Sequence, residues 1–285
     1  MNPAKIFIVG ANGQLGLALR AQYPDAQFAD IDELDITDRK SVEDFDWSGI
    51  EVVLNAAAYT NVDGAETPEG RMAAWKVNAV AVKHLTYVVW QHNLKAVVHI
   101  STDYVFDGTN KVHTEDEAFS PLNVYGASKA AGDLLASQVD KHYILRTSWV
   151  IGEGKNFVRT MMGLGEKGIN PTVVDDQIGR LTFTNELVRA IDHLLTTEAP
   201  FGTYNVTNDG EPASWAGVTR EIFQEAGYDL EVTGTTTDEY FKGKEGIAPR
   251  PLNSTLKLDK IQATGFKSSD WRQALKDYIK KERGL

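Results

Sequence analysis

Lys5-Ile6-Phe7-Ile8-Val9-Gly10-Ala11-Asn12-Gly13-Gln14-Leu15-Gly16 opens the chain with a change of period. Residues 6–9 are apolar on both faces, as in a strand buried within a parallel sheet. Glycines at 10, 13 and 16 punctuate a turn that runs into a helical pattern over residues 15–22. Strand, tight turn and helix start together make a phosphate site. Glycines let the backbone approach a pyrophosphate, and the helix N-terminus supplies N–H donors and a positive dipole end. The spacing is GxxGxxG rather than GxGxxG, but the physical logic is unchanged. Gly10, Asn12, Gly13, Gln14, Leu15 and Gly16 are the first candidate cofactor contacts. Outside that strand and helix context, the same glycines would read as an ordinary connection.

The alternation continues outward from this unit. Residues 51–55, 96–101 and 142–146 are further buried runs. Residues 69–93 carry Met72, Trp75, Val82, Leu85 and Val89 at helical spacing, and the Ala-rich residues 125–139 form another helix. Runs of this kind separated by helices predict an α/β fold, a doubly wound, Rossmann-like parallel sheet. Ligands in such sheets sit beyond the carboxyl ends of the strands. After about Ser148 the alternation weakens. Helices are expected at 156–164, 182–196, 214–226 and 269–282, with a short strand at 203–206 and a stiff Pro249-Arg250-Pro251 link. The expected division is a dinucleotide-binding domain over 1–149, with helix 180–200 packed back onto it. Residues 150–179 and 201–285 then form a smaller C-terminal α/β substrate domain.

Composition narrows the function. The chain has 285 residues and a net charge of −11, which argues against nucleic acid as partner, since that calls for a basic face. There is no cysteine, hence no disulfide, thiolate metal site or thiol nucleophile, as fits a reducing cytoplasm. No apolar run reaches the roughly 18 residues of a membrane span, and the first residues lack a signal peptide's apolar core. The six histidines show no metal-ligand spacing.

The chemistry concentrates at three strand ends. Asp30 lies 20 residues past Gly10, where a carboxylate takes the adenosine ribose hydroxyls. The acidic stretch 30–35, with Arg39 the nearest arginine in sequence, would repel a 2′-phosphate and tilts the cofactor to NADH over NADPH. Small residues at 56–58 leave room for cofactor backbone contacts, although alanines also simply pack helix on sheet. Ser101-Thr102-Asp103 sets two hydroxyls and a carboxylate past a buried strand. A hydroxyl there can bond a substrate carbonyl, while turn chemistry is the bland alternative. Tyr125 and Lys129 share a helix face at i and i+4, so the ammonium is expected to pull the phenol below its usual value of about 10. Trp149 ends the fourth strand and could form a wall against a sugar or base. Asn156, Arg159, Arg180, Arg250 and Lys257 are candidate donors and cations for a diphosphate, Arg250 first among them.

These stretches together resemble the dTDP-4-dehydrorhamnose reductase family, extended short-chain dehydrogenases. The resemblance rests on residues 10–16, 34–38, 55–60 with Val62-Asp63, 101–108, 120–126 with Lys129, 146–150, Asp176-Gln177 with Gly179, and Arg250-Pro251 with Ser254. It implies Tyr125 as catalytic acid, Lys129 as its partner and ribose ligand, and Thr102 as third member. It also implies Asp103 and Trp149 on a dTDP-sugar, and Asp30, Asp35, Ile36, Ala57, Ala58 and Tyr59 along the cofactor. The implied reaction reduces the C4 ketone of dTDP-4-dehydro-β-L-rhamnose with NADH or NADPH, making dTDP-L-rhamnose for bacterial cell-surface polysaccharide.

Two features depart from the family. Ala18 stands where some members place a glutamate on a dimer-bridging Mg²⁺, so a monomer or weak homodimer without metal is expected. Arg180-Leu181 replaces a small residue and proline ahead of Thr182. Two other readings keep the fold. One is a non-catalytic NAD(P)-binding regulatory subunit of a methionine adenosyltransferase type. The other is a nucleotide-sugar epimerase or dehydratase, disfavoured because Tyr104 rather than a glutamate follows Asp103.

Overall fold

A computed structural model describes residues 1–284. Six strands form one sheet: β1 (Ile6–Val9), β2 (Gln27–Ala29), β3 (Val52–Asn55), β4 (Ala96–Thr102), β5 (His142–Thr147) and β6 (Gly202–Asn205). Their order is β6-β5-β4-β3-β1-β2, and every pairing is parallel. The chain starts at β1, turns one way to β2, then crosses back to β3. The switch in direction lies between β1 and β3, which is where such sheets bind ligands.

Alternation along each strand divides the core into two layers. Ile6, Ile8, Val52, Leu54, Val98 and Leu145 pack towards α1 (Gln14–Gln22) and α7 (Thr184–Thr196). Phe7, Val9, Val53 and Val97 pack on the opposite face against α4 (Ala81–Gln91) and the segment after α2 (Arg39–Asp44). The remaining helices are α3 (Pro68–Trp75), α5 (Val124–Ala136), α6 (Phe157–Glu166), α8 (Trp215–Ala226), α9 (Thr237–Phe241), α10 (Asp259–Ala263) and α11 (Trp271–Glu282). A separate core joins α6, α8 and α11 through Val158, Met162, Ile222, Phe223, Trp271 and Ile279.

The sequence reads 203–206 as a short strand of the C-terminal third. The structure inserts Gly202–Asn205 into the main sheet, with Gly202 opposite Tyr143 and Asn205 opposite Arg146. Leu258, Ile261 and Phe266 follow it into the sheet's core. Only α7 was expected to return in this way.

The long helix expected over 69–93 is interrupted. A π-helical turn, Lys76–Val80, separates α3 from α4. It advances the chain by an extra residue per turn and so rotates the apolar stripe. Val82, Leu85 and Val89 reach the core, whereas Met72 is 62% and Trp75 41% exposed.

Candidate active site

Three strand ends build the site. At β1 the chain turns through Gly10 at φ +74°. A Cβ there would stand 2.5 Å from the Ala57 backbone nitrogen, so β1 and β3 can approach only with glycine at this position. A Cβ at Gly16 would lie 2.1 Å from the Gly10 carbonyl, so the first turn of α1 lies against the loop. Gly13 caps α1 with no side chain over the helix start. Leu15 turns its side chain into the core, leaving only its backbone for a ligand. The Gln14 amide oxygen is buried without a hydrogen-bond partner.

Beside this loop lies a cavity of about 300 Å³ lined by Gly10, Gly13, Asp30, Asp35, Ile36, Ala57 and Ala58, among others. The Asn12 N–H donates to Asp30 Oδ2 at 2.8 Å, tying loop to carboxylate. Asp35 accepts from the Thr37 N–H and hydroxyl at 2.8 Å and so shapes the cavity wall. Glycines cleared of side chains, an open helix start and a carboxylate at the end of β2 fit a dinucleotide. Spatial proximity revises the cation count. Arg39 is bound to Glu43, whereas Arg20 reaches Asn12 Oδ1 at 3.1 Å and covers the Phe28 ring at 4.0 Å. Through Asn12, Arg20 thus stands at the Asp30 corner.

The second part lies at the end of β4. Thr102 and Asp103 are buried, the Thr102 hydroxyl donates to Asp103 Oδ1 at 3.1 Å, and the Tyr125 phenol is its neighbour. Asn123 caps α5 by accepting from the Gly126 N–H at 2.7 Å, which fixes where Tyr125 and Lys129 fall. Lys129 is 1% exposed and donates to the Ile100 carbonyl at 2.5 Å. Burial lowers its ammonium to about 8, against the field of Asp133. The phenol does not follow the sequence expectation. Burial pushes Tyr125 up, the Thr102 hydrogen bond pulls it down, and Asp103 and Asp133 push it up further. Lys129 is turned to a carbonyl, so no cation offsets the burial. Burial likewise lifts the Asp103 carboxyl to about 6, opposed by Ser254 and Thr102.

Asn78, on the π-helical turn, escaped the sequence reading. It is buried, accepts from the Tyr59 N–H at 2.8 Å, and donates to the Tyr59 carbonyl and the Ser128 hydroxyl. One amide thus joins the β3 loop to the helix carrying Tyr125. A π-turn at a functional site is a recurrent arrangement, but nothing in a single sequence marks it.

The third part comes from the second half. Trp149 holds φ +48° and stacks on Trp215 at 3.7 Å, with Gly179 against its ring edge. Arg250 is ion-paired to Asp63 at 2.5 Å and lies by Tyr104, whose ring meets Tyr125 edge-on at 5.5 Å. It therefore stands at the site with its charge already matched. Asn156 is committed elsewhere: it caps α6 and donates to Gly152 O and the Tyr278 hydroxyl. Arg159 pairs with Glu282, Lys257 with Asp259, and the buried Arg180 with Asp209. Leu181 packs in the C-terminal core.

A dinucleotide loop, a Thr–Tyr–Lys group and an aromatic wall thus share one sheet edge. The family described as RmlD substrate binding domain matches residues 4–283. The chain belongs to the dTDP-4-dehydrorhamnose reductase family. A dTDP-4-dehydrorhamnose reductase of Aggregatibacter actinomycetemcomitans is 40% identical, over 96% of this chain and 98% of its own. The spore coat polysaccharide biosynthesis protein SpsK of Bacillus subtilis is 36% identical over 96% of both chains. A dTDP-4-dehydrorhamnose reductase of Bacillus anthracis, solved in complex with NADP, superposes with a TM-score of 0.88. It is 33% identical, and the match covers 97% of this chain and 98% of that one. Among the described residues no helix is long and apolar enough to cross a membrane.

Proposed function

We propose that this family member reduces the C4 ketone of dTDP-4-dehydro-β-L-rhamnose to dTDP-L-rhamnose, for cell-surface polysaccharide. The observation that carries the reading is Thr102 at the end of β4 with Tyr125 as its neighbour, and Lys129 one turn further along α5, buried and bonded to the Ile100 carbonyl of β4, on the sheet edge that also carries the glycine loop. Gly10, Gly13, Gly16, Asp30, Ala57, Ala58 and Lys129 would hold the nicotinamide cofactor, which supplies the hydride when bound. Tyr125 gives its proton to the sugar O4 as negative charge develops there. A phenol raised by burial is fully protonated near neutral pH, the state a reduction requires, and an alkoxide is basic enough to take its proton. Thr102 orients the carbonyl oxygen. Asp103 and Trp149 face the sugar nucleotide.

Asp30 and Glu33 favour NADH at the adenosine ribose, while Arg20, half-buried against Phe28, gives a 2′-phosphate one partner. NADPH is thus used as well, less efficiently. Initial rates with each cofactor on enzymatically prepared dTDP-4-dehydrorhamnose test reaction and cofactor together. A higher kcat/KM with NADH is expected. No oxidation of either cofactor would sink the reductase reading, and a strong NADPH preference would sink the role given to Asp30.

A further inference from the structure

Behind the Tyr125–Lys129 face, α5 carries a third ionisable group. Asp133 follows Lys129 by four residues, on the same side of the helix, and is 2% exposed. Its Oδ2 accepts from Arg146 Nε at 3.0 Å. Arg146 is held from several sides. It donates to the Glu115 carbonyl at 2.8 Å and lies over the Phe106 and Phe119 rings at 5.3 and 5.0 Å.

The pair is not a closed, two-pronged ion pair. Only one carboxylate oxygen meets the guanidinium, while Oδ1 is buried without a hydrogen-bond partner. His99 Nε2 lies 3.8 Å from Oδ1, and burial together with the charge of Lys129 keeps that ring neutral. Half of the buried carboxylate thus lies outside the Arg146 contact, with the Ser101 hydroxyl beside it, and its field acts on its surroundings. A buried ion pair adds little stability over well-packed apolar residues, so stability alone gives no reason to keep one here. The neighbour that gains is Lys129. The ionisable and charged groups around it are Tyr125 and Asp133 on its own helix, His99 on β4, Asp103 just past its end, and Arg146 on β5. The π-helical turn offers only the uncharged Asn78.

We propose that Asp133 is a positioning residue for Lys129: the Arg146 pairing anchors a carboxylate one turn behind the lysine, and its unbonded oxygen supplies the counter-charge to the buried ammonium. This rests on the reading of Tyr125 and Lys129 as the working pair. Burial lowers the lysine, and Asp133 is the group that opposes this. With Asp133 neutral, Lys129 loses its proton at lower pH. The pair then fails from the alkaline side.

The test is the pH profile of kcat for the full-length enzyme with NADH and dTDP-4-dehydrorhamnose. Asp133→Asn should move the alkaline limb down by roughly one pH unit, with about a fivefold loss near pH 8 and little change near pH 6.5. Asp133→Glu, which keeps the charge, should restore most of the limb. Asp133→Asn with Arg146→Met removes both charges and serves where the single variant does not fold. It should show a smaller downward shift, because loss of the Arg146 cation offsets part of the loss of the carboxylate. A folded Asp133→Asn or double variant with an unshifted limb overturns the proposal. Tyr125→Phe separates the two claims. Full activity in that variant overturns the underlying Tyr–Lys reading, whereas an inactive Tyr125→Phe beside unshifted Asp133 variants overturns the role of Asp133 alone.

Discussion

Asp103 joins position and chemistry within one residue. It follows Thr102 at the end of β4, is buried, and accepts from the Thr102 hydroxyl, with Ser254 beside it. Its carboxyl is raised from 3.8 to about 6, chiefly by burial. A carboxyl raised in the folded state favours the fold when protonated. That contribution is complete below the ordinary value and is lost as pH rises through about 6. Above that range the fold must hold an ion away from water. Asp103→Asn should therefore raise the melting temperature at pH 7.5 by the equivalent of at most roughly 3 kcal/mol, with the gap closing towards pH 4. Thermal scans at the two pH values check this. An equal gap at both would remove titration as the cause. Turnover should fall in the same variant, since a site residue held at a cost to the fold is retained for its function.

At the scale of elements, the decisive contact is between α5 and the π-helical turn. A Cβ at Gly132 would lie 2.2 Å from the Asn78 carbonyl and 3.3 Å from His99 Nε2. Backbone, not a yielding side chain, occupies that space. Gly132→Ala should therefore push α5 away from the turn, destabilising the protein by about 1–3 kcal/mol. It should also weaken the Asn78 bonds to Tyr59 and Ser128. Chemical denaturation measures the first effect and cofactor titration the second. A variant with unchanged stability would show that α5 can shift freely. The helix limits were legible in the sequence, because apolar period and caps are local: Asn123 stands where α5 begins and Ser214 where α8 begins. The π-turn was not, because it changes the phase of a pattern without changing its composition.

Across the whole molecule, residues 248–256 return from the second half to close the site. Asn123 donates to the Pro249 carbonyl at 2.8 Å, Asp63 accepts from Ala248 N–H and Arg250, and Asn253 donates to the Gly108 carbonyl. A Cβ at Gly108, φ +73°, would meet the Leu252 nitrogen at 2.7 Å, so the two segments touch through backbone. Arg250 works here as a latch, and Arg250→Ala should release it. The expected result is a KM for the sugar nucleotide raised about tenfold or more, equivalent to roughly 1.4 kcal/mol, with the cofactor Kd unchanged. Steady-state kinetics and cofactor titration separate the two. An unchanged KM would show that the latch is not needed for substrate binding.

The sequence by itself determined the parallel sheet, the glycine turn, the approximate limits of the longer helices other than the stretch 69–93, and the helix face shared by Tyr125 and Lys129. All of these follow from local periods, short spacings and the order of strand ends. Only the tertiary structure decided that Gly202–Asn205 completes the sheet and that Arg20, not Arg39, stands by Asp30. It also decided that Asn156 is a helix cap, that Arg250 is paired, and that Asp133 stands behind the lysine. It reversed the direction expected for the Tyr125 phenol as well. The physical reason is common to these cases. A side chain's charge state and hydrogen bonds depend on what is buried around it, and here those neighbours come from segments as far apart as Asp63 and Arg250, which no local pattern brings together.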